Sequence, residues 1–111
     1  MAVLPLNTFK TKTATLSTTP ASIYTCPVGY TGIVLLAQIA NISEGIASAT
    51  FKHVHLTTKT PLIQLAPVPP NDALVVLSGR LVLEEGDSVE VSSDIPGALQ
   101  IVMSLVESAN S

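Results

Sequence analysis

Short runs of apolar and β-branched residues alternate along the chain with Pro, Gly, Asn, Asp and Ser. Runs of this kind, bounded by turn residues, predict β-strands, and no segment reads clearly as a helix. The candidate strand segments are residues 9–16, 21–26, 33–42, 47–56, 61–70, 73–77, 79–83, 88–92 and 98–106. We therefore predict an all-β fold, a single antiparallel β-sandwich or jelly roll of about eight strands.

The length of 111 residues fits one domain with one core. We predict that the β-sandwich domain spans residues 1–111, with an N-terminal arm at 1–8 and a polar tail at 107–111 that are both loose. The closing segments, 88–92 and 98–106, are predicted to pair as a hairpin across S-D-I-P-G.

The longest apolar run is I-V-L-L-A-Q-I-A-N-I, residues 33–42. It lacks the polar alternation of a half-exposed strand, so we expect both of its faces to be covered, one by the core and the other by a neighbouring subunit.

Two later segments carry turn and breaker signals. Four prolines in residues 61–70 predict an edge strand followed by a polyproline-like crossing, since proline cannot donate to a central ladder. A turn is predicted at 57–60. Residues 74–83 have a second interpretation, a helical turn capped by Asp72, which Gly79 and the neighbouring valines oppose.

Charge is sparse, because only 12% of the residues are charged while 47% are hydrophobic. A surface so poor in charge favours burial against a partner, and we expect a homo-oligomer or an assembly component. The net charge of −3 and the lack of a Lys/Arg cluster argue against nucleic acid and against a membrane surface as partners. No apolar segment approaches the roughly 20 residues of a membrane-spanning helix, and the first residues lack a signal-peptide pattern, so we expect a soluble product made in the cytoplasm.

Chemistry-bearing residues are few. No glycine-rich phosphate loop is present, and no nucleophile, base and orienting group stand in a recognisable pattern, so we expect no enzyme, no catalytic residue and no cofactor. The lone Cys26 allows no disulfide within the chain and is expected to be a small buried apolar residue.

The two histidines, His53 and His55, lie in F-K-H-V-H-L. Residues two apart on a strand face the same side, where two imidazoles can share one ion. One H-x-H pair is too few for a zinc site, although three copies around a threefold axis would offer six imidazoles. We assign no metal site and interpret the pair as half-exposed strand residues. Which face of this strand is buried is ambiguous, because Val54 and Leu56 alternate with Phe51 and the histidines.

Acidic residues concentrate between Glu84 and Asp94. The turn E-E-G-D, residues 84–87, lacks the alternating oxygen ligands of a calcium loop, and we interpret it as a solvated hairpin turn. A glycosidase-like carboxylate pair stays open from the sequence, but the chain has no Trp to line a sugar cleft.

Two segments resemble a small β-sandwich family of virion structural proteins from tailed bacteriophages of the marine and cyanobacterial type. They are I-Y-T-C-P-V-G-Y-T-G-I-V-L-L-A-Q-I-A-N, residues 23–41, and G-R-L-V-L-E-E-G-D-S-V-E-V, residues 79–91. The shared features are a Pro-Gly turn before a long apolar strand that ends in Asn41, a G-x-L-x-L-x-x-G-D-S hairpin, and P-P-N-D-A-L at 69–74. Cys26 stands where the family pattern has an apolar residue.

The resemblance implies a non-enzymatic virion protein that is assembled in the host cytoplasm. It favours a capsid decoration protein, a homotrimer that bridges copies of the major capsid protein. A neck, baseplate or tail-fibre-associated protein is the alternative within virions. Because jelly rolls also host lectins, a carbohydrate-binding or receptor-binding module is the alternative from another class.

Overall fold

The computed structural model describes residues 7–77 and 79–110, which form nine β-strands. The strands are β1 Asn7–Thr15, β2 Ala21–Thr25, β3 Tyr30–Asn41, β4 Ala47–His55, β5 Thr58–Val68, β6 Ala73–Val75, β7 Leu81–Leu83, β8 Ser88–Ser93 and β9 Leu99–Ala109. The prediction of an all-β sandwich is confirmed, with nine strands in place of about eight. Within the described residues no helix has the length and apolar character needed to cross a membrane.

The strands form two antiparallel sheets that enclose one core. The five-stranded sheet has the order β1-β9-β3-β6, with β7 also paired to β3, and the four-stranded sheet has the order β2-β8-β4-β5. The largest fully buried apolar side chains are Phe51, Leu16, Ile39, Leu83, Leu99, Ile101, Met103, Leu105, Val34, Val68 and Val89. Both sheets contribute to this set, so each sheet depends on the other to keep its apolar face out of water.

The predicted closing hairpin is wrong, because β8 and β9 lie in different sheets. β8 pairs with β2 and β4, whereas β9 pairs with β1 and β3. The connection S-D-I-P-G passes from one sheet to the other and is held by a backbone hydrogen bond of 3.1 Å from Asp94 N–H to Ser48 O. Both strands alternate buried and less buried residues, a pattern that a hairpin and a crossing between sheets produce equally.

A β-bulge explains why the longest apolar run does not alternate. The pairing of β3 with β9 shifts between Val34 and Leu36, so Val34 and Ala37 both face the core although three positions separate them. Leu35 and Leu36 both remain partly exposed, at 41% and 38%. The predicted subunit cover over the outer face of this strand stays a prediction.

The two segments predicted to be loose are described only in part. Residues 1–6 of the predicted arm and Ser111 of the predicted tail lie outside the described residues, but Asn7 and Thr8 already pair with β9. The prediction that the tail is loose is wrong for 107–110, since β9 continues to Ala109 and Asn110 N–H donates to Gly29 O at 2.8 Å. Burial of Glu107 against distant strands, described below, holds this end in place.

Between residues 57 and 83 the described secondary structure consists of the strands β5, β6 and β7. The predicted turn at 57–60 is shorter than expected, since residues 56–57 form it and β5 starts at Thr58. The alternative helical turn at 74–83 is not formed in the described residues, where β6 and β7 both pair with β3.

The prediction of an edge strand in the proline-rich segment is confirmed. Among the described strands β5 pairs only with β4, and it includes Pro61 and Pro67. Each proline lacks an N–H, and an edge strand is the position where that loss can face away from the sheet. After Val68 the chain crosses to the five-stranded sheet through residues 69–72.

Candidate functional site

Both histidines face the same buried carboxylate. His53 and His55 share one side of β4 with the fully buried Phe51, which resolves the ambiguous facing of this strand. The distance from His53 Nε2 to Asp87 Oδ2 is 3.1 Å, and that from His55 Nδ1 to Asp87 Oδ1 is 2.5 Å. The two imidazoles therefore point to the same side of β4, as predicted. Their shared partner, Asp87, is a residue that the sequence did not single out.

Asp87 is held in place by the turn between β7 and β8. The turn places Gly86 at a φ of 85°, where glycine is favoured, and Glu84 N–H donates to Asp87 Oδ2 at 3.1 Å. The Asp87 residue is 2% exposed, while Glu84 is exposed. The interpretation of E-E-G-D as a solvated turn is thus wrong for Asp87, because β4 packs over the turn and its two histidines hydrogen-bond to the Asp87 carboxylate.

Hydrogen bonds shift the pKa values of Asp87 and His55 in opposite directions. Burial alone would raise the pKa of Asp87, but hydrogen bonds from His55, from the Glu84 backbone and from His53 outweigh burial and lower that pKa. The hydrogen bond to Asp87 raises the pKa of His55. Because an ionised carboxylate only accepts hydrogen bonds, the ring nitrogen of each histidine that faces Asp87 carries the proton.

A set of metal-binding side chains includes part of this cluster. One ligand atom from each of His55, Glu84 and Asp87 lies within 4.8 Å of the others. The three residues come from β4 and from the turn before β8, two elements that are distant in sequence. We call His53, His55, Glu84 and Asp87 the histidine–aspartate cluster.

A second buried carboxylate, Glu107, joins the two sheets. Tyr24 O–H donates to Glu107 Oε2 at 2.6 Å, and Lys10 Nζ lies 3.0 Å from Oε1. The hydrogen bond from Tyr24 is the largest cause of a lowered pKa at Glu107, while burial and the same bond raise the pKa of Tyr24 above its usual range. This arrangement stabilises the fold, since all three side chains satisfy one another.

Cys26 is 1% exposed, as predicted for a small buried residue, and its Sγ lies 3.3 Å from Tyr30 O. Burial raises the pKa of the thiol, which disfavours the reactive thiolate.

We expect a thiol reagent such as 5,5′-dithiobis(2-nitrobenzoate) to leave the native protein unlabelled at pH 8 and to label one thiol per chain in guanidinium chloride. Rapid labelling of the native protein would contradict this burial.

The outer face of the five-stranded sheet carries no charge at its paired positions. A row crosses four strands through Phe9, Val106, Ile33 and Val82, which are partners in register. Phe9 is 74% exposed and Val82 is 54% exposed. Further outward-facing residues along these strands are Thr11, Thr13, Thr15, Leu36, Gln38, Ala40, Val75, Gln100, Val102 and Ser104. We call this surface the uncharged face.

The aromatic side chains do not form a platform of the kind that sugars stack on. Tyr24 and Phe51 are buried, Tyr30 is half-buried, and Phe9 is the exposed member of the four. Phe9 lies on β1, apart from the histidine–aspartate cluster on β4 and the turn before β8.

Comparison with known proteins shows the fold alone. No family model and no curated protein matches the chain. The chain is similar to a solved chain from Bacillus endospore appendages, described as a novel family of disulfide-linked pili. The TM-score is 0.57 with 10% sequence identity, and the similarity covers 100% of this chain and 98% of the other. The two chains therefore share an architecture over their full lengths.

Proposed function

We propose that this chain is a non-enzymatic structural protein that works in many identical copies, and specifically a capsid decoration protein of a tailed bacteriophage. The observation that supports this proposal is the uncharged face, a sheet surface with exposed Phe9, Val75 and Val82 among Thr, Ser and Gln side chains. The resemblance of residues 23–41 and 79–91 to phage virion proteins supports the capsid setting.

The uncharged face suits protein docking because its burial removes no charged group from water. Each Å² of apolar surface removed from water contributes roughly 25 cal/mol, and a stable interface buries about 800 Å² on each partner. Several copies around a symmetry axis multiply that contribution. We expect a homotrimer that binds several copies of the major capsid protein at once. The trimer would then link these capsid subunits to one another, in addition to the contacts that they make directly.

Other features of the chain support a structural role over an enzymatic one. Among the described hydrogen bonds, His53 and His55 bond through their side chains to Asp87 and to no serine, threonine or cysteine, so neither histidine is placed to activate a hydroxyl or thiol nucleophile. A carbohydrate-binding module ranks below a structural role because two of the four aromatic residues are buried. Within virions, a neck, baseplate or tail-fibre-associated protein is the alternative location.

A second candidate function, an appendage subunit, is favoured by the full-length similarity to the pilus chain. A filament of this chain would differ in its linkage from that disulfide-linked family. Its single cysteine is 1% exposed, so copies would be joined by noncovalent contacts. Filaments of the purified protein that are seen by electron microscopy and persist under reducing conditions would support this candidate over capsid decoration.

The docking role of the uncharged face is tested by adding charge to it. Phe9→Lys and Val82→Lys should each weaken binding to capsids that lack the protein by at least about tenfold, which is about 1.4 kcal/mol, because docking would bury an unpaired ammonium. Val28→Lys is the matched control, since Val28 is 85% exposed on the turn before β3, outside this face. Co-sedimentation with capsids measures the affinity.

Unchanged binding by both face variants would contradict docking through the uncharged face. Cryo-electron microscopy of intact particles tests the location separately. We expect one density per copy over the capsid shell, and density confined to the tail would replace the decoration proposal with the tail alternative.

A further inference from the structure

We propose that His55, Asp87 and Glu84 form a binding site for one divalent transition-metal ion of the zinc type. The three side chains present an imidazole nitrogen and two carboxylates, with ligand atoms all within 4.8 Å of one another. In a tetrahedral zinc site with bonds of about 2.0–2.1 Å, ligand atoms are roughly 3.4 Å apart. Small side-chain movements therefore bring the cluster to ligand geometry. The proposal stands whether or not the chain is a virion protein.

Asp87 is a positioned ligand in this site. His53 and Glu84 N–H both hydrogen-bond to Oδ2, so that oxygen fixes the carboxylate while Oδ1 faces His55. His53 thus orients a ligating carboxylate from outside the ligand set, which is how outer-shell partners act in metal sites. Asp87 itself is 2% exposed, and it cannot swing away to water.

The other two ligands have the freedom that ion entry requires. The side chain of His55 is 48% exposed, and Glu84 is exposed. His55 must withdraw from its 2.5 Å contact with Asp87 to admit an ion between the two atoms. The fourth position of the ion would face solvent and hold water.

Charge and ligand type agree with a metal of this class. The two carboxylates of Asp87 and Glu84 balance a divalent ion when His55 is neutral. An imidazole with carboxylates suits zinc and its neighbours, whereas calcium and magnesium take oxygen ligands. To bind through Nδ1, a neutral His55 moves its proton to Nε2, and a protonated His55 releases one proton to solvent.

The neighbouring acid Glu85 has a different partner. Its Oε2 accepts a hydrogen bond of 2.7 Å from Gly29 N–H, which ties the turn before β8 to the turn before β3. The turn is therefore already anchored to the turn before β3, and metal binding would fasten it to the end of β4 as well.

Isothermal titration of the full chain with ZnCl₂ tests the site. We expect saturable binding of one ion per chain and a rise in Tm, with MgCl₂ and CaCl₂ giving neither. His55→Ala and Glu84→Gln should each weaken zinc binding by at least about tenfold. Glu44→Gln, a change at an exposed acid in the loop between β3 and β4, should leave the affinity unchanged. Far-UV circular dichroism verifies that each variant is folded.

Three results would overturn the proposal. The first is no saturable zinc binding up to about 1 mM. The second is undiminished affinity in the folded Glu84→Gln and His55→Ala variants. The third is one ion per three chains with affinity lost only when a histidine is replaced, which would indicate a threefold set of imidazoles instead.

Discussion

Replacing Asp87 with alanine is expected to lower the free energy of unfolding by about 3 kcal/mol. The carboxylate is 2% exposed and accepts hydrogen bonds from His53, His55 and Glu84 N–H, so its removal leaves three donors without their partner. Two of the donors belong to half-exposed histidines that can turn to water, which keeps the loss below the sum of three charged hydrogen bonds.

Chemical unfolding in urea measures this effect, with EDTA present so that bound metal adds nothing to either protein. Asp87→Asn should lower the free energy of unfolding by less than Asp87→Ala does, because the asparagine amide retains one acceptor oxygen and nearly the same side-chain volume. Glu44→Ala is the control for removing an exposed acid and should change stability by less than about 0.5 kcal/mol. An Asp87→Ala variant as stable as the wild type would show that the histidine–aspartate cluster does not hold β4 to the turn.

The second large effect is expected at Glu107. Glu107→Gln should lower the free energy of unfolding at pH 7 by about 2 kcal/mol, because the buried acceptor of the Tyr24 hydroxyl loses its charge. The ion pair with Lys10 adds little, since that side chain is 40% exposed and water screens it. A double-mutant cycle with Tyr24→Phe isolates the contribution of the hydrogen bond.

The Glu107 effect depends on pH with a definite sign. The pKa of Glu107 in the folded protein is lowered from its ordinary value of 4.5. A lowered pKa means that the stabilisation is fully present above about pH 4.5 and is lost as the pH falls through the folded value. Urea unfolding of wild type and Glu107→Gln from pH 7 to pH 3 should therefore show a difference that shrinks with acid. A difference that stays constant or grows over this range would contradict the role of the charge.

The strands themselves were predictable because their signals are local. The predicted strands at 9–16 and 21–26 match the bounds of β1 and β2 to within two residues, since β-branched runs and turn residues mark strands without reference to the rest of the chain. The edge position of β5 followed from its prolines in the same way.

Strand pairing was not predictable from these signals. Ser88–Ser93 and Leu99–Ala109 are neighbours in sequence and both alternate in burial, yet one lies in each sheet. Alternation shows that one face of a strand is buried, but both sheets bury a face against the same core. The bulge at Leu35 was hidden for a related reason, since a run of apolar residues has no polar position to mark the change of phase.

Half of the candidate site, the pair of histidines, was predictable from the sequence, whereas the buried carboxylates were not. The H-x-H spacing placed His53 and His55 on one side of a strand, which the structure confirms. Asp87 lies more than 30 residues away in an acidic turn, and its burial comes from β4 packing over that turn. Glu107 was missed likewise, because its partner Tyr24 is 83 positions away. No local pattern distinguishes such carboxylates from solvated ones.

The two prolines in β5 limit how copies of this chain can join. Pro61 and Pro67 lie in an edge strand whose other side pairs with none of the strands that the structure describes, and neither proline offers an N–H to an incoming strand. Extension of the four-stranded sheet by a strand from another copy would leave gaps in its ladder at both residues. Continuous sheets that run from copy to copy through β5 are thereby disfavoured, and discrete assemblies with a fixed number of copies are protected from growing into β-fibrils at that edge.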